Sequence, residues 1–278
     1  MIYLLFAVLC GASINLGFAL AGKKNLDNLN TTLLNYIAAC GISAAGFLMR
    51  MQGGQERVFT GRITVPLALF AGVIYLVCLL YVQKAIAQTG PSATTMFNRL
   101  SMVFPVLVSI FVFHEHAGIV RWLGIALAIA SLIIFNWEGG VKFRGVLMQL
   151  WISGGFAELC NSLFARLCPQ EDKPFYMTLV FGTAGLLTAA LLLRRKGPKI
   201  SGKEVLLGLA IGCVNLGSAS FTVSALQHLP NSIVYPTITV SIILLTTVIG
   251  VLFFGDKLET KHKIAMATAI AAVIILNL

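Results

Sequence analysis

The sequence predicts an all-α integral membrane protein of ten transmembrane helices, arranged as two inverted repeats of five helices. Three observations lead to this prediction. Of the 278 residues, 58% are hydrophobic and only 11% are charged, whereas soluble domains are usually about 45–50% apolar. Ten apolar stretches, each near the length that crosses a bilayer, follow one another with short polar connections. The second half of the chain also repeats part of the first at a nearly constant offset.

The basic residues are placed as membrane anchors rather than as a nucleic-acid-binding surface. Lys and Arg number 20 against 10 Asp and Glu, and a basic surplus is also typical of proteins that bind nucleic acid. Here the basic residues lie singly or in short clusters between apolar runs, as interfacial anchors do. We therefore expect a lipid bilayer as a partner and no nucleic acid.

The six cysteines do not indicate a metal or cofactor site. None belongs to a CxxC pair, and none has a metal-ligand spacing with histidine. We interpret them as small apolar residues buried among helices. The sequence thus predicts no metal and no cofactor.

The apolar stretches are long enough to cross a bilayer as helices. A hydrocarbon core of about 30 Å needs roughly 20 helical residues, and a helix satisfies the backbone groups that lipid cannot. The first stretch has no basic region before it, so we interpret it as a transmembrane helix and not as a cleavable signal peptide. The predicted spans are 1–21, 31–50, 64–87, 91–113, 119–137, 145–166, 174–193, 203–226, 231–254 and 260–278.

The second half of the chain repeats the first at an offset of 140 residues, which becomes 141 farther along. The segment 85–101 aligns with 225–241. Apolar helices match by chance, so the aligned acidic, asparagine and serine positions carry more weight than alanine and isoleucine. The aligned pairs include Gly72 with Gly212, Ser92 with Ser232, and Ser101 with Ser241.

The repeat divides one compact membrane domain into two five-helix units, residues 1–137 and residues 145–278. Because five is odd, the second unit enters the membrane from the opposite side. An inverted repeat of this kind predicts a binding site near the midplane between the halves, and transport by alternating access.

Residues 105–135, PVLVSIFVFHEHAGIVRWLGIALAIASLIIF, resemble a recurrent segment of the drug/metabolite transporter superfamily, specifically of its ten-helix EamA-type members. A proline in the fourth helix, a short acidic turn and a Gly/Ala-rich fifth helix carry the resemblance. The second copy is similar but lacks that proline. The resemblance implies a secondary transporter of small metabolites or drugs, often outward and frequently coupled to protons. We expect it in a bacterial inner (plasma) membrane.

The segment GGFAEL, with Gly155, Ala157 and Glu158, also resembles the first helix of the small multidrug resistance proteins. In those proteins an acidic residue binds either a cation or a proton, and the resemblance assigns that role to Glu158. The first half has Asn15 at about the same place, so such chemistry would be one-sided.

Arg99 and Glu158 are charged residues inside apolar runs. A charge at the bilayer centre costs about 2.5–3.5 kcal/mol on insertion scales, so both should face the bundle interior or a water-filled cavity. One interpretation is structural, in which they pair and lock the halves together. The other, which we favour, is that they line the translocation path. Neutral candidates for the same site are Asn98, Asn161, Asn15, Tyr75 and Asn215, although a helix-packing hydrogen bond explains each of them equally well.

The function that fits these residues is a carrier, an exporter or exchanger, for a small polar or zwitterionic metabolite. Arg99 would hold an anionic group such as a carboxylate. Glu158 would bind an amine or act as the proton-coupling residue. The expected partners are a small-molecule substrate, the bilayer and protons, with the chain as a monomer or a homodimer.

Two other functions fit the sequence less well. Multidrug efflux of lipophilic cations is disfavoured because Arg99 would repel cations. A membrane enzyme acting on lipids would need a catalytic motif, and the chain has no HExxH, no GxSxG and no Gly-rich phosphate loop. We therefore expect no enzymatic activity. Membrane orientation stays open, since the distribution of Lys and Arg and the family pattern predict opposite answers.

Overall fold

A computed structural model of the chain describes residues 1–52, 61–89, 91–136, 145–195, 200–254 and 260–277. Every regular element within these ranges is helical. A single 3₁₀ turn, Gln170–Asp172, precedes the eighth helix. The α-helices are α1 (Ile2–Lys23), α2 (Asn28–Gln52), α3 (Gly61–Thr89), α4 (Pro91–Leu100), α5 (Val103–Phe111), α6 (Ile119–Asn136), α7 (Gly145–Leu167), α8 (Lys173–Arg194), α9 (Gly202–Leu226), α10 (Asn231–Phe254) and α11 (Thr260–Leu276).

The predicted spans coincide with these helices to within a few residues, but the fourth span is broken. Its residues form α4 and α5, with a turn at Ser101 and Met102 between them. Pro105 contributes to the break, because it has no N–H to donate to the Ser101 carbonyl. That carbonyl accepts instead from the Phe104 N–H at 3.0 Å. The continuous helix expected over 91–113 is therefore corrected to a broken one.

Length and composition make six of the described helical segments suitable for crossing a membrane. Their surfaces carry large apolar side chains in the open, such as Leu193 at 87% and Leu206 at 76% exposed. Apolar surface of this extent indicates contact with lipid. Shorter apolar helical segments are Phe97–Phe111 and Ile119–Ile134. The six segments are Ile2–Lys23, Asn28–Gln52, Arg62–Ile86, Gln170–Arg194, Gly202–Leu226 and Asn231–Leu252.

The chain forms two compact units. The first unit comprises residues 77–162 and 225–278 together with Met1, and the second comprises residues 2–76 and 163–224. Each unit thus draws on both halves of the sequence, and α3 and α7 contribute residues to both. The repeats 1–137 and 145–278 were defined by similarity of sequence, whereas the two units are defined by contacts between residues. The division into two repeats therefore stays a prediction. Their last residues, 137 and 278, lie outside the described ranges.

The core of the first unit lies where α6 packs against α11, with α5 and α10 beside them. Gly124 permits this approach, because a Cβ at that position would lie 2.7 Å from Leu276 Cγ. The buried side chains of this core include Met102, Val106, Ile125, Leu132, Tyr235, Ile243 and Leu276.

The second unit is built around α2 packed against α8. Tyr36 and Phe181 meet there with ring centroids 6.1 Å apart. Two glycines let α3 and α9 approach this pair. A Cβ on Gly72 of α3 would lie 2.6 Å from Thr183 Cβ, and one on Gly212 of α9 would lie 2.5 Å from Ala38 Cβ.

Candidate functional site

The break after α4 places Arg99 in the last turn of a helix. A cation there faces the negative end of the helix dipole. The neighbouring carbonyl groups are satisfied locally, since Met102 N donates to Arg99 O at 3.3 Å and Ser101 Oγ donates to Asn98 O at 2.5 Å. The kinked backbone thus fixes the position from which the guanidinium extends.

Two glycines of α7 bring that helix against the break. A Cβ on Gly154 would lie 2.9 Å from Ser101 Oγ, and one on Gly155 would lie 2.6 Å from Phe104 Cβ. Any larger residue at either position would force the helices apart. Gly155 was noted in the sequence for its resemblance to another family, and here it has this steric role.

Arg99 and Glu158 interact electrostatically in the first unit, although they come from different halves of the sequence. The Asn161 side chain hydrogen-bonds the Glu158 carboxylate, and Asn161 is buried while both charged residues are partly exposed. Asn98 Oδ1 lies beside Gly154, 3.5 Å from where a Cβ would stand. The structure therefore brings Arg99, Asn98, Glu158 and Asn161 together around α7.

The other three predicted site residues belong to the second unit. Asn215 Nδ2 donates to Asn35 Oδ1 at 3.0 Å. The Tyr75 ring meets Phe181 edge-on, with centroids 6.1 Å apart and an interplanar angle of 85°. Asn15 lies partly exposed on α1. The sequence allowed either a helix-packing contact or a substrate-binding role for Asn215 and Tyr75, and the structure gives both residues a packing contact.

Sequence reasoning missed two side chains that bind the backbone of this site. Trp151 Nε1 donates to the Leu100 carbonyl at 3.0 Å, and the Tyr235 hydroxyl donates to the Glu158 carbonyl at 2.6 Å. Trp151 lies seven residues before Glu158 and hence on the same face of α7. That helical spacing was the available signal for Trp151, whereas nothing in the sequence singles out Tyr235.

Within the described ranges, no three His, Cys, Asp or Glu side chains are grouped so that they could hold a metal ion. The chemistry available around α7 is that of one cation, one carboxylate and two amides. Such a set can bind an ionic or strongly polar ligand by hydrogen bonds and charge.

The sequence model of the EamA-like transporter family matches residues 1–137 and 152–278. The chain belongs to this family. Its members are membrane transporters of the drug/metabolite transporter superfamily, which confirms the resemblance that the fourth and fifth helices indicated. Together with the apolar helices, membership identifies an integral membrane protein. A transporter family also agrees with the expectation that the chain is not an enzyme.

Two further comparisons found similar proteins. An uncharacterised protein of Haemophilus influenzae is 24% identical, over 97% of this chain and 95% of its own length. A crystal structure of another protein matches with a TM-score of 0.74 at 15% identity, over 99% of this chain and 94% of that one. At this identity the structural match shows a shared fold and nothing about the substrate.

Proposed function

We propose that this EamA-like protein is a secondary transporter, an exporter or exchanger, of a small polar or zwitterionic metabolite. The observation that carries the proposal is the electrostatic interaction of Arg99 with Glu158 of α7, two partly exposed charges that lie within apolar runs of the sequence. Charges inside transmembrane helices generally mark a substrate or ion pathway. The inner membrane of a bacterium is the proposed location, and the Haemophilus relative supports it.

The proposed mechanism is alternating access by an inverted repeat. Gly72 and Gly212 align in the sequence, and each lies against a residue pair three apart on its partner helix, Val180 and Thr183 for Gly72, Asn35 and Ala38 for Gly212. An equivalent crossing on both sides is what two inverted copies of one fold would produce. The match of the family model to two segments of the chain supports the same proposal.

The two opposite charges favour a zwitterion over a lipophilic cation. The planar guanidinium of Arg99 can hold a carboxylate by two parallel hydrogen bonds. The Glu158 carboxylate, with Asn161 beside it, can accept an amine or carry the coupling proton. A cation that lacks an anionic group would be repelled by the positive charge of Arg99, and this repulsion disfavours its binding. The proposed partners are thus a small molecule, protons and the bilayer, with no cofactor and no nucleic acid; the chain acts as a monomer or a homodimer.

Uptake into proteoliposomes, with and without a pH gradient, tests this function. A panel of α-amino acids and small polar metabolites would be screened with the wild type, Arg99→Gln and Glu158→Gln. Arg121→Gln is the control, because the Arg121 guanidinium is bonded to the His116 carbonyl at an exposed position. We expect Arg99→Gln to abolish uptake of zwitterions, Glu158→Gln to abolish its dependence on the pH gradient, and the control to behave as wild type. Uptake of lipophilic cations that survives Arg99→Gln would instead favour multidrug efflux.

A further inference from the structure

We propose that Trp151 and Tyr235 are positioning residues that hold Arg99 and Glu158 at a fixed separation. Each donates one hydrogen bond to the backbone of a helix that carries one of the two charges. The inference rests on the proposed function of the pair as a zwitterion site. It deepens that function by naming the residues that set the distance between the side chains that bind the two charged groups of the ligand.

The break between α4 and α5 creates the acceptor that Trp151 uses. Pro105 has no N–H, so the Ser101 carbonyl takes the Phe104 N–H. In an unbroken helix that N–H would have served the Leu100 carbonyl, four residues earlier. The indole of Trp151 supplies the replacement, with Nε1 at 3.0 Å from Leu100 O. The end of α4, one residue after Arg99, is thereby tied to α7.

The indole is itself held in place. Its ring meets Phe104 edge-on, with centroids 5.9 Å apart and an interplanar angle of 87°, and Phe104 packs in turn on Phe156 of α7 at 5.0 Å. Gly154 and Gly155 of α7 let Ser101 and Phe104 pack closely against that helix. The Trp151 indole is therefore held in one orientation, with its N–H directed at the Leu100 carbonyl. Replacing the indole by the smaller phenyl ring of phenylalanine would remove the N–H donor and keep an aromatic ring beside Phe104.

Tyr235 acts on the second charged residue. It is 3% exposed and belongs to the packed core of α5, α6, α10 and α11. Its hydroxyl donates to the Glu158 carbonyl at 2.6 Å. One turn away on both helices, Asn231 Nδ2 donates to Ser162 Oγ. Two bonds one turn apart fix α7 against α10 both along and around its axis.

Arg99 is therefore fixed to α7 through Trp151, and the Glu158 segment of α7 is fixed to the unit core through Tyr235. A ligand that bridges both charges depends on their separation, whereas a ligand that uses one charge does not. Losing either bond should thus weaken a zwitterion while sparing its singly charged analogues. A merely structural role for these residues would affect all three ligands alike.

The test uses purified full-length Trp151→Phe and Tyr235→Phe, each of which removes one donor and keeps an aromatic ring. Binding and uptake would be measured for an α-amino acid, for the amine that lacks its carboxylate and for the acid that lacks its amino group; alanine, ethylamine and propionate form the smallest such set. Trp122→Phe at an exposed position of α6 and Tyr176→Phe at a buried position of α8 are the matched controls.

We expect either variant to raise the KM for the amino acid about three- to tenfold, the range for one lost hydrogen bond. The affinity for the amine and the acid, and all values for the controls, should stay within twofold of wild type. Equal losses for all three ligands, or no loss, would overturn the proposal, and an effect confined to one variant would overturn the role of the other. If Arg99→Gln and Glu158→Gln bound the amino acid as tightly as the wild type does, the proposed function itself would be refuted.

Discussion

The two ends of the α2–α8 pair in the second unit are built on one plan but held by different chemistry. At the end where α2 begins, Asp27 accepts hydrogen bonds from two N–H groups of that helix and pairs with Arg195 at 3.3 Å. Glu204 of α9, only 5% exposed, accepts from the main-chain N–H groups of Asp27 and Ser201, both at 2.8 Å, and from Asn30 Nδ2 at 3.4 Å. We call this set the Glu204 end.

The opposite end has counterparts of the same three residues. Thr64 Oγ1 of α3 donates to Asp172 Oδ2 at 3.4 Å, and Arg50 Nη1 donates to the Glu171 carbonyl at 3.4 Å. The equivalence can be read from the numbering. Asp27 and Asp172 are 145 residues apart, as are Arg50 and Arg195, and Thr64 and Glu204 are 140 apart. We call this set the Thr64 end.

The difference shows how two copies of one fold diverge in strength without losing their geometry. A carboxylate at position 204 joins α9 to the loop before α2 by several charge-assisted hydrogen bonds, which are stronger than neutral ones. The neutral hydroxyl at position 64 makes only a long bond to the carboxylate of Asp172. The Glu204 end should therefore open less readily than the Thr64 end, and substitutions at matched positions can measure the inequality.

The largest expected effect is from Glu204→Ala. It removes the charged acceptor of the Asp27 and Ser201 N–H groups, of which the first is half-buried and the second exposed, and of buried Asn30. Losing these charge-assisted hydrogen bonds should cost about 2–4 kcal/mol in the free energy of unfolding. Thr64→Ala, the matched variant, should cost less than about 1 kcal/mol, because the bond from its neutral hydroxyl to Asp172 is long. Thermal unfolding in detergent checks both values. Similar losses at both positions would contradict the inequality of the two ends.

Thr64→Glu asks whether the carboxylate alone makes the Glu204 end strong. At that end the carboxylate uses the Asp27 N–H, whereas the Asp172 N–H already donates to Pro169 O at 3.0 Å. A glutamate at position 64, which is 1% exposed, would lie near the Asp172 carboxylate. We expect it to destabilise the fold by about 1–3 kcal/mol. A raised unfolding temperature would show that the backbone donor is not the deciding feature.

The features of the fold that could be predicted from the sequence are those determined by residues close together in the chain. The helices follow the predicted spans because twenty apolar residues leave the backbone little alternative in lipid. The break after Leu100 was not predicted, although Pro105 was noticed. Proline alone does not decide it, since Pro66 and Pro236 lie inside α3 and α10 without ending them.

The candidate site was foreseeable only in its charges. Arg99 and Glu158 attract notice because a charge in an apolar run is costly. Trp151 and Tyr235 donate to backbone carbonyls on other helices, and no pattern in the sequence identifies those acceptors, although the spacing of Trp151 from Glu158 places both on one face of α7. The Glu204 end lies between these cases. Ser201 and Glu204 form a capping box, S-x-x-E, which is a recognisable helix start, but the bond from Asp27 to Glu204 comes from 177 residues away.

The smallest expected effect compares the two helix-starting aspartates. Asp27 caps α2 with side-chain bonds to Leu29 N at 2.9 Å and Asn30 N at 3.1 Å, whereas Asp172 precedes α8 without a side-chain cap. Asp27→Ala should therefore lower the free energy of unfolding by about 1 kcal/mol, and Asp172→Ala by roughly half of that or less. The Arg195 partner is 58% exposed, so adding salt should weaken the ion pair but not the cap. If high salt removed the whole difference between the two variants, the cap would contribute nothing, and the Glu204 end would owe its strength to Glu204 alone.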